Sequence, residues 1–135
     1  AGNVSAYWMG FSECGPSGCP RRCANPCPTA RPRLLGVQAE GAAPLAMNRP
    51  FPHPETRATA IRIGNPARAD QARTAIRESG GTFQWVTDDD IFAAYRAVAR
   101  TEGIFCEPSS ATGLAGLHKS YVSDPSHFEG RTVVA

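Results

Sequence analysis

The feature that most restricts what this chain can fold into is a regular alternation, from Asn65 onward, of helical and strand periodicity divided by clear stop signals. Asn65 can cap a helix, and Pro66 suits its first turn, where a missing N–H costs nothing. Ala69, Ala72, Ile76 and the aliphatic stem of Arg73 fall on one face. That spacing predicts a helix ending at Ser79, with Gly80 and Gly81 supplying a left-handed stop. Thr82 to Val86 is β-branched and aromatic, which predicts a strand. It runs straight into Thr87, whose hydroxyl can cap a second helix while Asp88, Asp89 and Asp90 crowd the positive end of the helix dipole. Three acids in that place fit the dipole better than a metal.

In the second helix Ile91, Phe92, Tyr95, Val98 and Ala99 share the spacing of one buried face, with Arg96 and Arg100 towards solvent and Gly103 as the stop. Ile104 to Cys106 is short and apolar. Cys106 reads as a small buried side chain, with nothing basic beside it to activate the thiol. Ala111 to Lys119 is small and apolar enough for a tightly packed third helix, capped by Ser109 or Ser110. Arg131 to Ala135 reads as a buried strand. At the front, Val4 to Phe11 suits a helix opened by Ala1, Gly2 and Asn3, and Leu34 to Ala39 a buried strand. Strands alternating with helices of ten to fifteen residues imply an α/β fold, a three-layer sandwich with a mainly parallel sheet covered by helices on both faces.

Size and charge narrow the partners. With 135 residues, 41% of them hydrophobic, one folding unit is the ceiling. The formal net charge is +2 and the basic residues are scattered, which leaves no footprint for nucleic acid or an acidic membrane surface. The longest apolar run, around Phe92 to Val98, is broken by Arg96, so no membrane span is expected. The start carries no charged segment leading into an apolar one, so a cytoplasmic location is expected. Lys119 is the single lysine, and beside His118 and Ser120 at the end of the third helix it reads as a surface cation facing the dipole. His53, His118 and His127 form no spaced ligand set, and no metal site is expected from them.

Between Ser12 and Pro32 the composition changes abruptly. Cys14, Cys19, Cys23 and Cys27 share this stretch with Pro16, Pro20, Pro26, Pro28 and Pro32, and aliphatic side chains nearly vanish. Four thiolates can enclose zinc, but no pair here has the two-residue gap with which zinc knuckles grip the ion. Residues 12–32 therefore read as a Pro-rich loop, or as a stretch translated in a shifted frame, since GC-rich codons out of register yield this mixture. A small four-cysteine zinc module is the non-enzyme alternative.

Taken in order, four segments carry a resemblance. They are Ala1-Gly2-Asn3-Val4-Ser5-Ala6-Tyr7-Trp8-Met9-Gly10-Phe11, Gly36-Val37-Gln38-Ala39-Glu40-Gly41-Ala42-Ala43-Pro44, Pro54 to Pro66 with its Ala58-Thr59-Ala60-Ile61-Arg62-Ile63-Gly64-Asn65-Pro66 core, and Glu102 to Ala111. The series resembles the threonine synthase family of pyridoxal-phosphate enzymes, a group that also holds threonine dehydratase and the tryptophan synthase β chain. It runs over residues 1–12 and 33–135.

The resemblance implies part of the large domain of a fold-type II enzyme, with residues 1–135 a fragment of the catalytic domain that is inactive alone. It implies pyridoxal 5′-phosphate as cofactor, its phosphate cradled by the amides of Ala1, Gly2 and Asn3. Asn3 would also reach the substrate. Thr59, Ala60 and Ile61 would run past the cofactor ring, and Glu107 would mark a turn near it. The catalytic lysine would lie upstream of the matched segments, leaving no catalytic residue in the chain. The implied reaction takes O-phosphohomoserine and water to threonine and phosphate, in a homodimeric enzyme. The alternatives within the group are a dehydratase and a sulfonate-forming synthase of the cysteate type. Arg57 and Arg62 are candidates to face a substrate phosphate, against the plainer reading of each as partner to a carboxylate.

Overall fold

The computed structural model describes residues 1–13 and 31–135. Cys14, Cys19, Cys23 and Cys27, and with them the loop, shifted-frame and zinc readings, lie outside the described residues. Helix α1 covers Gly2–Glu13, strand β1 Leu35–Ala39, helix α2 Ala69–Glu78, strand β2 Thr82–Val86, helix α3 Asp88–Thr101 and helix α4 Pro108–Ser123. Short 3-10 turns form at Glu40–Ala42, Thr59–Ile61 and Pro125–Phe128. Among the described residues β1 and β2 pair in a small parallel sheet, so the expected α/β character is present. The chain divides into two compact units.

The first unit comprises Ala1–Gly36 and Pro66–Thr82. Here α1 packs on α2. Trp8 is buried, and its indole N–H donates to Glu78 Oε2 at 2.7 Å, so the largest side chain of α1 also satisfies its one polar atom. On α2, Ala72, Ala75 and Ile76 are buried; Ala72 and Ile76 belong to the anticipated face, whose Ala69 and Arg73 are half-buried, and Ala75 adds to it. The end of α2 is a Schellman turn. Gly81 N donates to Ile76 O at 2.9 Å and Gly80 N to Arg77 O at 3.2 Å, with Gly80 at φ 64°. Gly81 is required for a second reason, because a Cβ there would stand 2.0 Å from Leu34 O. The start of α2 differs from expectation: the N-cap is Arg68, without a side-chain cap, not Asn65. Pro66 instead opens a turn in which its carbonyl accepts from Ala69 N at 3.1 Å, which delays the helix.

The second unit comprises Val37–Asn65 and Phe83–Ala135. Its core is Ala39, Ala58, Val86, Ile91 and Ala115, with Val37, Ile61 and Ala94 packed against it. The period-2 alternation puts Val37 and Ala39 on one face of β1, and Gln84 and Val86 on the matching face of β2. Helix α4 lies close on that face at Gly116, where Gln84 Nε2 donates to Gly116 O at 2.7 Å and to Ser120 Oγ at 3.1 Å. Thr87 caps α3 as anticipated, in a full capping box with Asp90. Ile91 is the one fully buried residue of the expected apolar stripe; Phe92, Tyr95, Val98 and Ala99 are half-buried, and Arg96 and Arg100 are exposed.

Four further expectations differ from the structure. Helix α4 is capped by the backbone of Glu107, not by Ser109 or Ser110, because Pro108 takes the first helical position, where its lack of an N–H is harmless. The helix also runs on to Ser123, so Lys119 is not at its end. Cys106 is half-buried rather than buried. Arg131–Ala135 is not a buried strand: all five residues are exposed, Val134 at 93%, and no strand among the described residues pairs with them. A strand exists by its ladder, and apolar β-branched side chains alone do not make one.

Candidate functional site

Ala1, Gly2 and Asn3 lie exposed at the opening of α1, in the first unit. The first intrahelical bond of this end is Ser5 N to Ala1 O at 3.2 Å. The amides of Gly2, Asn3 and Val4 therefore precede the hydrogen-bond ladder and have no acceptor within the helix. Ser5 turns its hydroxyl back to Gly2 O at 2.9 Å, so it occupies the carbonyl side of the turn and does not use those amides. A helix start with open amides and positive partial charge has the chemistry of a phosphate cradle.

Thr59, Ala60 and Ile61 form a 3-10 turn in the second unit. Ile61 packs on the core, whereas Thr59 and Ala60 are exposed. The turn also touches α4, the helix whose N-cap is Glu107. Glu107 is exposed in extended conformation (φ −71°, ψ 145°), and its carbonyl accepts from Ser110 N at 2.9 Å. Its carboxylate accepts from Ser109 Oγ at 2.6 Å.

The turn is approached through a locked junction. Thr56, only 7% exposed, donates from Oγ1 to Asp88 Oδ1. Arg57 N donates to Asp88 Oδ2 at 2.8 Å, and Ala58 N to Thr56 Oγ1 at 3.1 Å. The Arg57 guanidinium lies 3.9 Å from the centre of the Phe92 ring and 4.0 Å from Asp89 Oδ1. Arg62 stands 3.9 Å from Glu55 Oε2. Both arginines thus take carboxylate partners, the plainer of their two readings. The sequence did not reveal the Thr56–Asp88 link: Asp88 was legible only as a helix-start acid, and its partner lies thirty-two positions away.

Lys119 is held too. Its Nζ donates to Trp85 O at 2.8 Å and sits 4.0 Å from the centre of the Trp85 ring. Among the described residues no group of three or more His, Cys, Asp or Glu could hold a metal ion, and no helix is long and apolar enough to cross a membrane.

The chain belongs to the family of pyridoxal-phosphate dependent enzymes, which it matches over residues 1–135. It is similar to the threonine synthase of Synechocystis sp., 50% identical over 134 residues that make up 99% of this chain and 32% of that protein. It is likewise similar to the threonine synthase of Mycobacterium bovis, at 47% over 134 residues, 99% of this chain and 35% of the relative. The archaeal threonine synthase of Methanocaldococcus jannaschii is 45% identical over 88% of this chain and 29% of its own length. The chain therefore spans about a third of the length of the curated relatives it matches.

Proposed function

We propose that these residues serve in a threonine synthase, which converts O-phosphohomoserine and water to threonine and phosphate with pyridoxal 5′-phosphate. The observation that carries this reading is the 50% identity over 134 residues to a protein of that name.

Within this reading the cofactor, when bound, supplies an electron sink for carbanions formed on the substrate. The residues of the chain bind and orient. The amides of Gly2 and Asn3, with Ala1 leading into them, hold the cofactor phosphate at the positive end of α1. Asn3 also offers its side-chain amide to the substrate. Thr59, Ala60 and Ile61 flank the cofactor ring, with Ile61 anchored in the core so that Thr59 and Ala60 keep a fixed place. Glu107 stands near the same group at the start of α4. Lys119 takes no part: the catalytic lysine lies upstream of the matched segments, and the exposed Lys119 amine donates to Trp85 O. The enzyme works in the cytoplasm on a small-molecule substrate, as a homodimer.

A replacement experiment tests the reading. Residues 1–135 are exchanged for the matching third of the Synechocystis threonine synthase, and the purified hybrid is given O-phosphohomoserine. Equal release of phosphate and threonine is expected. A soluble hybrid that takes up the cofactor, yet only deaminates threonine or serine, would transfer the assignment to the dehydratases.

A further inference from the structure

The Thr59–Ile61 turn carries no side-chain cap of its own. Its internal bonds are few: Ile61 N to Ala58 O at 3.1 Å and Arg62 N to Thr59 O at 3.2 Å. A 3-10 turn this short has poor intrinsic stability, so something outside it must fix its place. Ile61 ties its far end to the core, and the residues just before it fix its near end. Asp88 uses both carboxylate oxygens on this segment, one for the Thr56 hydroxyl and one for the Arg57 amide. Thr56 Oγ1, while donating to Asp88, accepts from Ala58 N, so one hydroxyl links the carboxylate to the backbone two residues on. Ala58 is 1% exposed and belongs to the core.

The far end of this chain of bonds is rigid as well. Asp88 is the first residue of α3, directly behind the Thr87 capping box. Arg57 adds a second brace by lying over Phe92, one turn further along α3. Its ion pair with Asp89 is nearly fully solvated and contributes little. We infer that Thr56, Arg57 and Asp88 are positioning residues, which fix the Thr59–Ile61 turn to the start of α3 and so present it to the cofactor. This inference rests on the proposed function for its ligand. The geometry of the brace does not depend on that reading.

The test uses the full chain, with pyridoxal 5′-phosphate itself as the probe and backbone amide resonances as the readout. In the native chain, saturating cofactor should shift the amides of Gly2, Asn3, Ala60 and Ile61. Thr56→Val keeps the shape of the side chain and removes the hydroxyl. At a temperature where circular dichroism shows intact helices, it should bind about tenfold more weakly, as expected for loss of a buried hydrogen-bond relay. It should also lose the shifts at Ala60 and Ile61 while retaining those at Gly2 and Asn3. Thr56→Ser, which restores the hydroxyl, should recover both. A folded Thr56→Val chain with native affinity and native shifts overturns the inference and leaves the cofactor reading standing. No shifts anywhere in the native chain overturn that reading and this inference with it. Should Thr56→Val not fold, Asp88→Asn is read in the same way, and hydrogen exchange on the native chain gives an independent check. Protected Arg57 and Ala58 amides support the brace, and exchange at the rate of an open loop contradicts it.

Discussion

Lys119 Nζ lies 4.0 Å from the centre of the Trp85 ring and donates to the carbonyl of the same residue at 2.8 Å. The single amine side chain of the sequence therefore ties α4 to β2. At exposed sites such a cation–π contact is worth about 0.5–1 kcal/mol. Lys119→Met should lower stability to chemical denaturation by about that amount, and Lys119→Arg by less. Equimolar pyridoxal phosphate should give no imine absorbance from Lys119. A band present in the native chain and absent from Lys119→Met would contradict this.

The capping box of α3 makes a pH prediction. Asp90 accepts from the Thr87 hydroxyl at 2.8 Å and from Thr87 N at 3.0 Å, and these two bonds, the hydroxyl first, hold its carboxyl below the usual aspartate range. A carboxyl depressed in the folded state stabilises the fold when ionised. The contribution is complete above the ordinary aspartate range and is lost as pH falls through and below it. Thr87→Ala should cost about 1 kcal/mol at neutral pH by loss of the cap. Its stability should also decline less steeply in acid than that of the native chain, as read by denaturant midpoints across that range.

Gly116 sits where α4 meets the sheet. A Cβ there would lie 2.4 Å and 2.7 Å from the two Val37 methyls and 2.8 Å from Gln84 Nε2. Alanine raises helix propensity by about 1 kcal/mol, but overpacking costs about 1–3 kcal/mol, and valine is stiff at χ1 and cannot swing away. Gly116→Ala should therefore destabilise. At Gly113 on the same helix a methyl would have nothing within 4 Å of it, so Gly113→Ala should stabilise by up to about 1 kcal/mol. Thermal melts of the two variants with opposite shifts are the expected result.

What could be read in advance follows from the range of the interactions. The Gly80-Gly81 stop, the Thr87 cap and the strand at Thr82–Val86 depend on neighbours within a few residues, and each is where the sequence places it. The start of α2 departs from its sequence signal because Asn65 and Pro66 serve a turn as well as they serve a cap. The Arg131–Ala135 segment departs from its own because strand residues alone do not supply a ladder partner. Of the candidate site, the open amides of Gly2 and Asn3 were legible as a helix start. The brace of Thr56 and Asp88 was not, since only the fold brings residues so far apart in sequence into contact.

In the proposed function the opening of α1 holds a cofactor phosphate. This is tested most directly by a crystal structure of the hybrid enzyme, carrying residues 1–135 in a threonine synthase framework, with pyridoxal 5′-phosphate bound. The phosphate oxygens should lie within hydrogen-bond distance of the Gly2 and Asn3 amides, with the Thr59–Ile61 turn beside the ring. A cofactor bound with its phosphate away from those amides would rule out the opening of α1 as its cradle.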